Sequence, residues 1–278
     1  MAEAQMPFRS DTLPADAVSD ELRPTIEALG LEDNCREMVE QGYTVIRDAS
    51  TPEFNERFRE TILRTAPRIG DTGIAGGNMQ LGQDAIFGEA ITQPKLMAMA
   101  EFSVGRGFLI SQVATSVVPG GQGSVGIHAD QNWTPAPFPE HNLITTMCWA
   151  TDEYTAENGA THVIPGSHLL RRHPTAEEAA DHDKAIPIEC PPGSVAMWDG
   201  AVWHTAWPRK AAGERVVCHI SYSRLMMRVI ENYSAIAEDL IKQHGEQMAQ
   251  LLGRNDSLDS PTGFDLSKLQ ETFDNSKI

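Results

Sequence analysis

Residues 108–130 of the chain are FLISQVATSVVPGGQGSVGIHAD. They contain two β-rich runs, Phe108–Val118 and Ser124–Asp130, separated by the turn signal Pro119-Gly120-Gly121. β-Branched and apolar side chains favour strands, whereas proline followed by glycine favours a turn. The stretch therefore predicts two strands joined by a short connection.

Further β-rich runs follow, separated by turn signals such as Asn158-Gly159, Pro165-Gly166 and Pro191-Pro192-Gly193. They are Leu143–Ala150, Thr161–Ile164, Ile186–Ile188, Ser194–Trp198, Val202–Trp207 and Val216–Ser223. About eight short strands with such turns predict a sandwich or barrel, of which the jelly roll is the eight-stranded form. We place this core at about residues 105–225.

Helical patterns flank the β region, so the predicted class is mainly β with flanking helices. The apolar spacing predicts helices over Asp33–Gln41, from Pro52, over Pro94–Ser103 and over about Ala235–Leu252, with a short strand at Tyr43–Ile46 and a glycine-rich loop from Arg68 to Gly88. With 278 residues, 41% of them hydrophobic, the chain fits one domain over residues 1–278. We expect its ends, about 1–20 and 255–278, to be peripheral.

Charge and composition exclude several partners. The net charge of −17 repels phosphate backbones and anionic lipids, so we expect neither nucleic acid nor membrane as a partner. The four cysteines are widely spaced and form no C-x-x-C pair, which predicts buried apolar roles. The sequence contains neither a secretory signal pattern nor a long apolar stretch, and we expect a cytoplasmic protein.

The triplet His128-Ala129-Asp130 ends the second quoted run. Side chains two apart on a strand project from the same face, so an imidazole and a carboxylate can meet at one ion. His244-Gly245-Glu246 is similar, but it lies in the helical C-terminal segment, where residues two apart point about 200° apart. Strand context therefore favours His128 and Asp130, and a facial triad requires one more histidine.

The third ligand is expected from a later strand. The candidates are His141, His162, His168, His173, His182, His204 and His219. His204 lies in an aromatic, strand-forming context, and Arg215 follows it by eleven positions. An arginine suits a co-substrate with a far carboxylate, because its planar guanidinium binds carboxylates in a bidentate manner. We therefore favour His204. We interpret His219, on the face that carries Arg215, as a residue of the core or one lying just behind the metal ligands.

The ordered combination of these motifs resembles the phytanoyl-CoA dioxygenase (PhyH-like) family. It consists of His128-x-Asp130, the run NGATHVIPGSH at 158–168, and His204 followed by Arg215. The resemblance covers about residues 30–235. It implies a double-stranded β-helix (jelly roll, cupin-like) flanked by helices, in which His128, Asp130 and His204 bind iron(II).

The same resemblance implies 2-oxoglutarate as co-substrate. Arg215 would bind its far carboxylate, Thr161 matches a position that often hydrogen-bonds the co-substrate, and Gln131 would neighbour the site. Many members carry a glutamine three positions before the first ligand histidine, where this chain has Val125. Gln122 is nearby but displaced, so the residue that replaces this contact is left open.

These features predict an Fe(II)/2-oxoglutarate-dependent dioxygenase that oxidises, most simply by hydroxylation, a small apolar molecule. Dioxygen and 2-oxoglutarate would be converted to succinate and carbon dioxide. Met79, Trp133 and Phe138 are expected to line the substrate entrance. Two alternatives stay open: a cupin-type metal dioxygenase that uses no 2-oxoglutarate, and a non-catalytic jelly-roll binding protein. The sequence leaves the substrate and the oligomeric state undetermined.

Overall fold

The computed structural model describes residues 17–69 and 73–259, together with Asp265 and Lys268. The predicted peripheral ends therefore lie largely outside the described residues. The strands are β1 Tyr43–Ile46, β2 Ala75–Gly77, β3 Leu109–Pro119, β4 Val125–His128, β5 Ile144–Ala150, β6 Thr161–Val163, β7 Ile186–Pro187, β8 Ser194–Asp199, β9 His204–Ala206 and β10 Glu214–Ser223. The helices are α1 Arg23–Leu29, α2 Glu32–Gln41, α3 Pro52–Thr65, α4 Ala85–Ile91, α5 Pro94–Val104, α6 Ala176–Ala180, α7 Ala237–His244 and α8 Glu246–Leu251.

The strands form two antiparallel sheets. The major sheet has the order β1-β8-β5-β10-β3-β2, and the minor sheet has the order β4-β9-β6-β7. Each of the eight predicted β-rich runs overlaps one of the strands β3 to β10, and the predicted strand before them is β1. The prediction of a mainly β fold with flanking helices is confirmed.

One face of the major sheet packs against the helices. Trp149 on β5 lies 5.2 Å from the ring of Phe58 and 5.6 Å from that of Phe54, both on α3. On β10, Cys218, Ile220 and Tyr222 belong to the same buried cluster. Because side chains alternate along a strand, the residues between them face the minor sheet. All four cysteines are buried and unpaired.

The predicted loop from Arg68 to Gly88 is wrong in part. It contains the edge strand β2, a 3-10 helix at Gln80–Gly82 and the beginning of α4. At Gly76 a Cβ atom would lie only 2.4 Å from the Thr115 carbonyl oxygen, so glycine permits β2 to pair closely with β3. Asp84 caps α4 by accepting a hydrogen bond from the Ile86 amide. A prediction based on glycine content alone therefore misses these three elements.

The predicted C-terminal helix is divided in two. Gly245 has a positive φ of 80°, a backbone conformation that favours glycine, and it ends α7 before α8 begins. A 3-10 turn at Ser234–Ile236 precedes α7. Among the described residues, no helix has the length and apolar composition that crossing a bilayer requires.

Candidate metal centre

His128 and His204 lie side by side on the paired antiparallel strands β4 and β9. The two residues are direct partners across the strands, and their ring centroids are 4.2 Å apart. Asp130 lies two residues beyond His128, just after β4 ends. One ligand atom from each of the three residues lies within 4.8 Å of the others. Within the described residues, this is the cluster of histidine, cysteine and acidic side chains suited to holding a metal.

The Asp130 carboxylate uses its two oxygens differently. Oδ1 lies 3.7 Å from Nε2 of His128 and 3.5 Å from Nε2 of His204. Oδ2 accepts hydrogen bonds from the Thr146 hydroxyl (2.8 Å) and the Trp198 indole N–H (3.1 Å). These two donors fix the carboxylate so that one oxygen faces both imidazoles. The arrangement suits ligation of a metal through a single carboxylate oxygen.

Backbone carbonyls select the tautomer of each histidine. Nδ1 of His128 lies 2.8 Å from the Gly126 oxygen, and Nδ1 of His204 lies 3.2 Å from the Val202 oxygen. A neutral ring that donates through Nδ1 has its lone pair on Nε2. Both Nε2 atoms point at Asp130, so the two lone pairs converge with the carboxylate oxygen.

The protonation states also suit a metal. Burial alone would raise the pKa of Asp130, but His204 and the Thr146 hydroxyl outweigh it and hold this pKa below its ordinary value. Burial lowers the pKa of His204, although the Asp130 charge opposes this. An ionised carboxylate at Asp130 and a neutral imidazole at His204 are the forms that bind metal ions.

A cavity of about 530 Å³ opens beside this cluster, between the two sheets. From the minor sheet it is lined by Val125, Ala206 and Thr161, which are neighbours across β4, β9 and β6. From the major sheet it is lined by Gln112, Ser116, Thr146, Trp198, Arg215, His219 and Ser221. The volume lies in the range of cavities that hold small molecules.

Arg215 places a buried cation at this cavity. The residue is 6% exposed, and its guanidinium donates to the Gly159 carbonyl and lies 5.7 Å from the centre of the Tyr154 ring. Its Nε–H has no partner among the described residues. Asp152, which accepts the neighbouring Val216 amide, forms its ion pair with Arg59 instead, at 2.7 Å. A buried guanidinium without a paired carboxylate is costly, and it suits an anionic ligand.

Two further predicted residues face the cavity. Thr161 lies on the wall near Arg215, and its hydroxyl is 2.8 Å from the Tyr154 hydroxyl. His219 shares a strand face with Arg215, as expected, and it lines the cavity near the three candidate ligands. Burial, reinforced by Arg215, lowers the pKa of His219 to about 4, so the ring is neutral.

Three expected site residues lie elsewhere. Phe138 is fully buried and packs edge-on against the His173 ring at 4.8 Å, so its expected place at the entrance is corrected to a core position. Gln131 is buried beside Gly200 and does not line the cavity. Met79 does not line the cavity either.

Trp133 does line the cavity, with 80% of its surface exposed at the rim. Among the described residues, the glutamine that lines the cavity is Gln112. Gln122 is exposed and does not line the cavity, whereas Val125 does. Gln112 of β3 lines the opposite wall, and its amide donates to Asn78.

Sequence reasoning missed Thr146, Trp198, Tyr154 and Gln112. The first three contact Asp130, Thr161 or Arg215, and all four line the cavity. Strand alternation predicts that Thr146 and Trp198 face one side of their strands. The register that makes them cross-strand partners, Thr146 opposite Trp198, has no sequence signal.

A fold of two β-sheets that places two histidines, one carboxylate and a buried arginine around one cavity is typical of a class of metal-dependent proteins. Residues 38–217 match the phytanoyl-CoA dioxygenase (PhyH) family, and the chain belongs to this family.

Known relatives include dioxygenase af480 of Aspergillus fumigatus, which is 29% identical over 174 residues. The match covers 61% of this chain and 55% of that protein, so the chain spans about half the length of this relative. Dioxygenase andF of Emericella variicolor is 26% identical over 141 residues, covering 48% and 47% of the two chains.

Solved structures share the fold at low identity. HygX from Streptomyces hygroscopicus, with nickel and 2-oxoglutarate bound, has a TM-score of 0.60 at 13% identity and covers 80% of this chain and 94% of its own. The epimerase SnoN, in complex with Fe3+, alpha ketoglutarate and nogalamycin RO, has a TM-score of 0.57 at 15% identity, with 77% and 89% covered. The likeness supports the predicted architecture.

Proposed function

We propose that this chain is an iron(II)- and 2-oxoglutarate-dependent dioxygenase. The observation that carries the proposal is Arg215, a buried guanidinium without a carboxylate partner among the described residues. It lines the cavity that also contains the cluster of His128, Asp130 and His204. A ligand that satisfies both ends has a metal-chelating group at one end and an anion at the other. 2-Oxoglutarate has this form.

The donor set fits iron(II). His128, Asp130 and His204 would hold the ion, and a set of three protein ligands would leave room for a chelating co-substrate and dioxygen. Bound iron supplies the activation of dioxygen, and the protein supplies binding and orientation. Thr146 and Trp198 donate hydrogen bonds to Oδ2 of Asp130, so the carboxylate would offer its other oxygen, Oδ1, to the ion. Because Asp130 occupies the place that a halide would need, the site favours oxygenation of the substrate over halogenation.

The other end of the cavity supplies donors for a carboxylate. Arg215 offers a planar cation and Thr161 a hydroxyl, and both lie on the cavity wall. A cupin-type metal dioxygenase without 2-oxoglutarate would give this buried arginine no partner. The arginine is therefore the feature that separates the two interpretations.

We infer that the substrate is a small, uncharged and largely apolar molecule. The ionisable side chains of the lining are the three candidate ligands, His219, Arg215 and the buried Tyr154. The remaining wall combines apolar residues with neutral polar ones: Ile74, Trp133, Ile144 and Ile230 with Gln112, Asn132 and Ser221. A charged group inserted there would lose hydration without gaining a counterion. A substrate with neutral hydrogen-bonding groups on an apolar skeleton would match this wall.

The test is anaerobic addition of iron(II) and 2-oxoglutarate to the purified chain. We expect a weak visible charge-transfer band and, on admission of air, formation of succinate. Arg215→Met should weaken 2-oxoglutarate binding about thirtyfold or more, because a buried charge pair is lost. Arg172→Met is the matched control, since Arg172 pairs with Glu178 at 2.7 Å outside the cavity. A wild-type chain with neither band nor succinate would refute the proposal.

A further inference from the structure

Tyr154 joins the residues at the carboxylate end of the cavity although sequence reasoning gave it no role. It is 1% exposed and follows β5, outside the predicted motifs. Its hydroxyl oxygen accepts the Thr161 backbone N–H at 3.1 Å and lies 2.8 Å from the Thr161 hydroxyl oxygen. The Cys148 thiol donates to the same oxygen at 3.3 Å. The tyrosine oxygen therefore has three hydrogen-bonding neighbours.

Counting donors and acceptors fixes the direction of these bonds. A tyrosine hydroxyl has one proton to donate, and its oxygen accepts from the other neighbours. The Thr161 N–H is a donor only, and burial raises the pKa of the Cys148 thiol to about 11, so that group also carries its proton. Both neighbours donate to Tyr154. The tyrosine proton is then directed to the remaining neighbour, the hydroxyl oxygen of Thr161.

This direction determines what Thr161 offers to a ligand. Its oxygen accepts the Tyr154 proton, so its own proton must point elsewhere. Among the described residues this hydroxyl has no other hydrogen-bond partner, and the side chain lines the cavity. The free direction is toward the cavity, where Arg215 also presents donors.

We propose that Tyr154 is a positioning residue that turns the Thr161 hydroxyl proton into the cavity, so that Thr161 and Arg215 together bind the far carboxylate of the co-substrate. The inference rests on the proposed 2-oxoglutarate dependence. Tyr154 itself gives no proton to the ligand in this arrangement. Its ring lies beside the Arg215 guanidinium at 5.7 Å, so the same side chain packs against both donors. Replacing Tyr154 by phenylalanine keeps this packing and removes only the hydroxyl.

The test is calorimetric titration of the nickel-substituted protein with 2-oxoglutarate, which requires no turnover. Tyr154→Phe and Thr161→Val should each weaken binding about tenfold, the effect of one lost hydrogen bond to a charged group. The double variant should also bind 2-oxoglutarate about tenfold more weakly than the wild type, because both changes remove the same donor, the Thr161 hydroxyl. Thr161→Ser, which retains the hydroxyl, should bind like the wild type. In turnover, Tyr154→Phe should raise KM for 2-oxoglutarate and leave kcat near that of the wild type.

Two controls separate positioning from general damage. Tyr222→Phe also removes one buried hydroxyl, which donates to the Ile91 carbonyl at 2.6 Å away from the cavity, and it should leave binding unchanged. 2-Oxovalerate has the same chain length and chelating end but no far carboxylate. Its affinity should be equal in the wild type and in Tyr154→Phe.

Three results would overturn the inference while the proposed function stands. The first is a Tyr154→Phe variant that binds 2-oxoglutarate as tightly as the wild type. The second is a double variant whose affinity for 2-oxoglutarate falls nearly a hundredfold. The third is a Tyr154→Phe variant that loses as much affinity for 2-oxovalerate as for 2-oxoglutarate. The second would mean that Tyr154 acts independently of Thr161. A wild-type protein that binds no 2-oxoglutarate would instead refute the proposed function, and this inference with it.

Discussion

Removing the hydroxyl of Thr146 tests how the candidate metal centre is held together. Thr146→Val keeps the shape of the side chain and deletes its 2.8 Å hydrogen bond to Oδ2 of Asp130. The Trp198 indole still donates to that oxygen at 3.1 Å. The change therefore loosens the carboxylate without removing any of the three candidate ligands.

The expected loss follows from these contacts. A hydrogen bond to a charged group contributes about 1.5–3 kcal/mol, and loss of a residue that orients a metal ligand lowers metal affinity by about 10- to 100-fold. Because Trp198 continues to hold the same oxygen, we expect the lower end of that range. The prediction is a tenfold weaker metal affinity, equal to about 1.4 kcal/mol.

Competition with a coloured chelator measures the dissociation constant for cobalt(II) in each variant. Thr151→Val is the matched control: it also deletes a buried threonine hydroxyl, which donates to the Val216 carbonyl at 2.6 Å, just after the end of β5. The control should lose stability but retain metal affinity. Equal dissociation constants for Thr146→Val and the wild type would show that the hydroxyl does not position Asp130. A similar loss in both variants would point to general destabilisation.

Three further predictions concern the metal, the pH and the core. Nickel(II) should raise the melting temperature of the wild type but not of His204→Ala, because binding to the folded state alone stabilises it; an equal rise in both would contradict the assigned ligand. Burial raises the pKa of Asp199 to about 7, whereas the pKa of an aspartate in the unfolded chain is about 3.9. The free energy of unfolding should therefore fall as the pH rises between these two values. Urea unfolding should show a flatter profile for Asp199→Asn, and an unchanged slope would assign the effect to another group. Phe138→Ala should cost about 3–5 kcal/mol in urea unfolding, and near-neutral stability would contradict its core position.

The strands were predictable because each has a local signal. Apolar runs between proline and glycine turns, such as Ser194–Asp199 after Pro191-Pro192-Gly193, carry their own boundaries. The strand at Ala75–Gly77 has no such signal, because its glycines serve a close backbone approach to β3 and lack β-forming side chains. Local pattern predicts a strand only where the side chains supply the stabilisation.

The candidate ligands were predictable for a different reason. His128 and Asp130 are close in sequence, and His204 was linked to them through Arg215 and the family motif. Thr146 reaches Asp130 because β5 pairs with the distant strand β8. Tyr154 reaches Thr161 because the turn that contains Gly159 brings the two residues together. No local pattern encodes which strands become neighbours. The residues that orient the candidate ligands therefore become visible only in the folded chain.

Strand β10 couples the cavity to the core. Arg215, His219 and Ser221 face the cavity, whereas Cys218 and Ile220 are fully buried against the helical side. A shift of β10 by one residue would exchange these two sets, placing a cation in the apolar core. The packing that stabilises the helical layer thus fixes the register that brings Arg215 to the cavity. It follows that a core substitution that loosens this packing should disturb the carboxylate end before it disturbs the histidines, which belong to the other sheet.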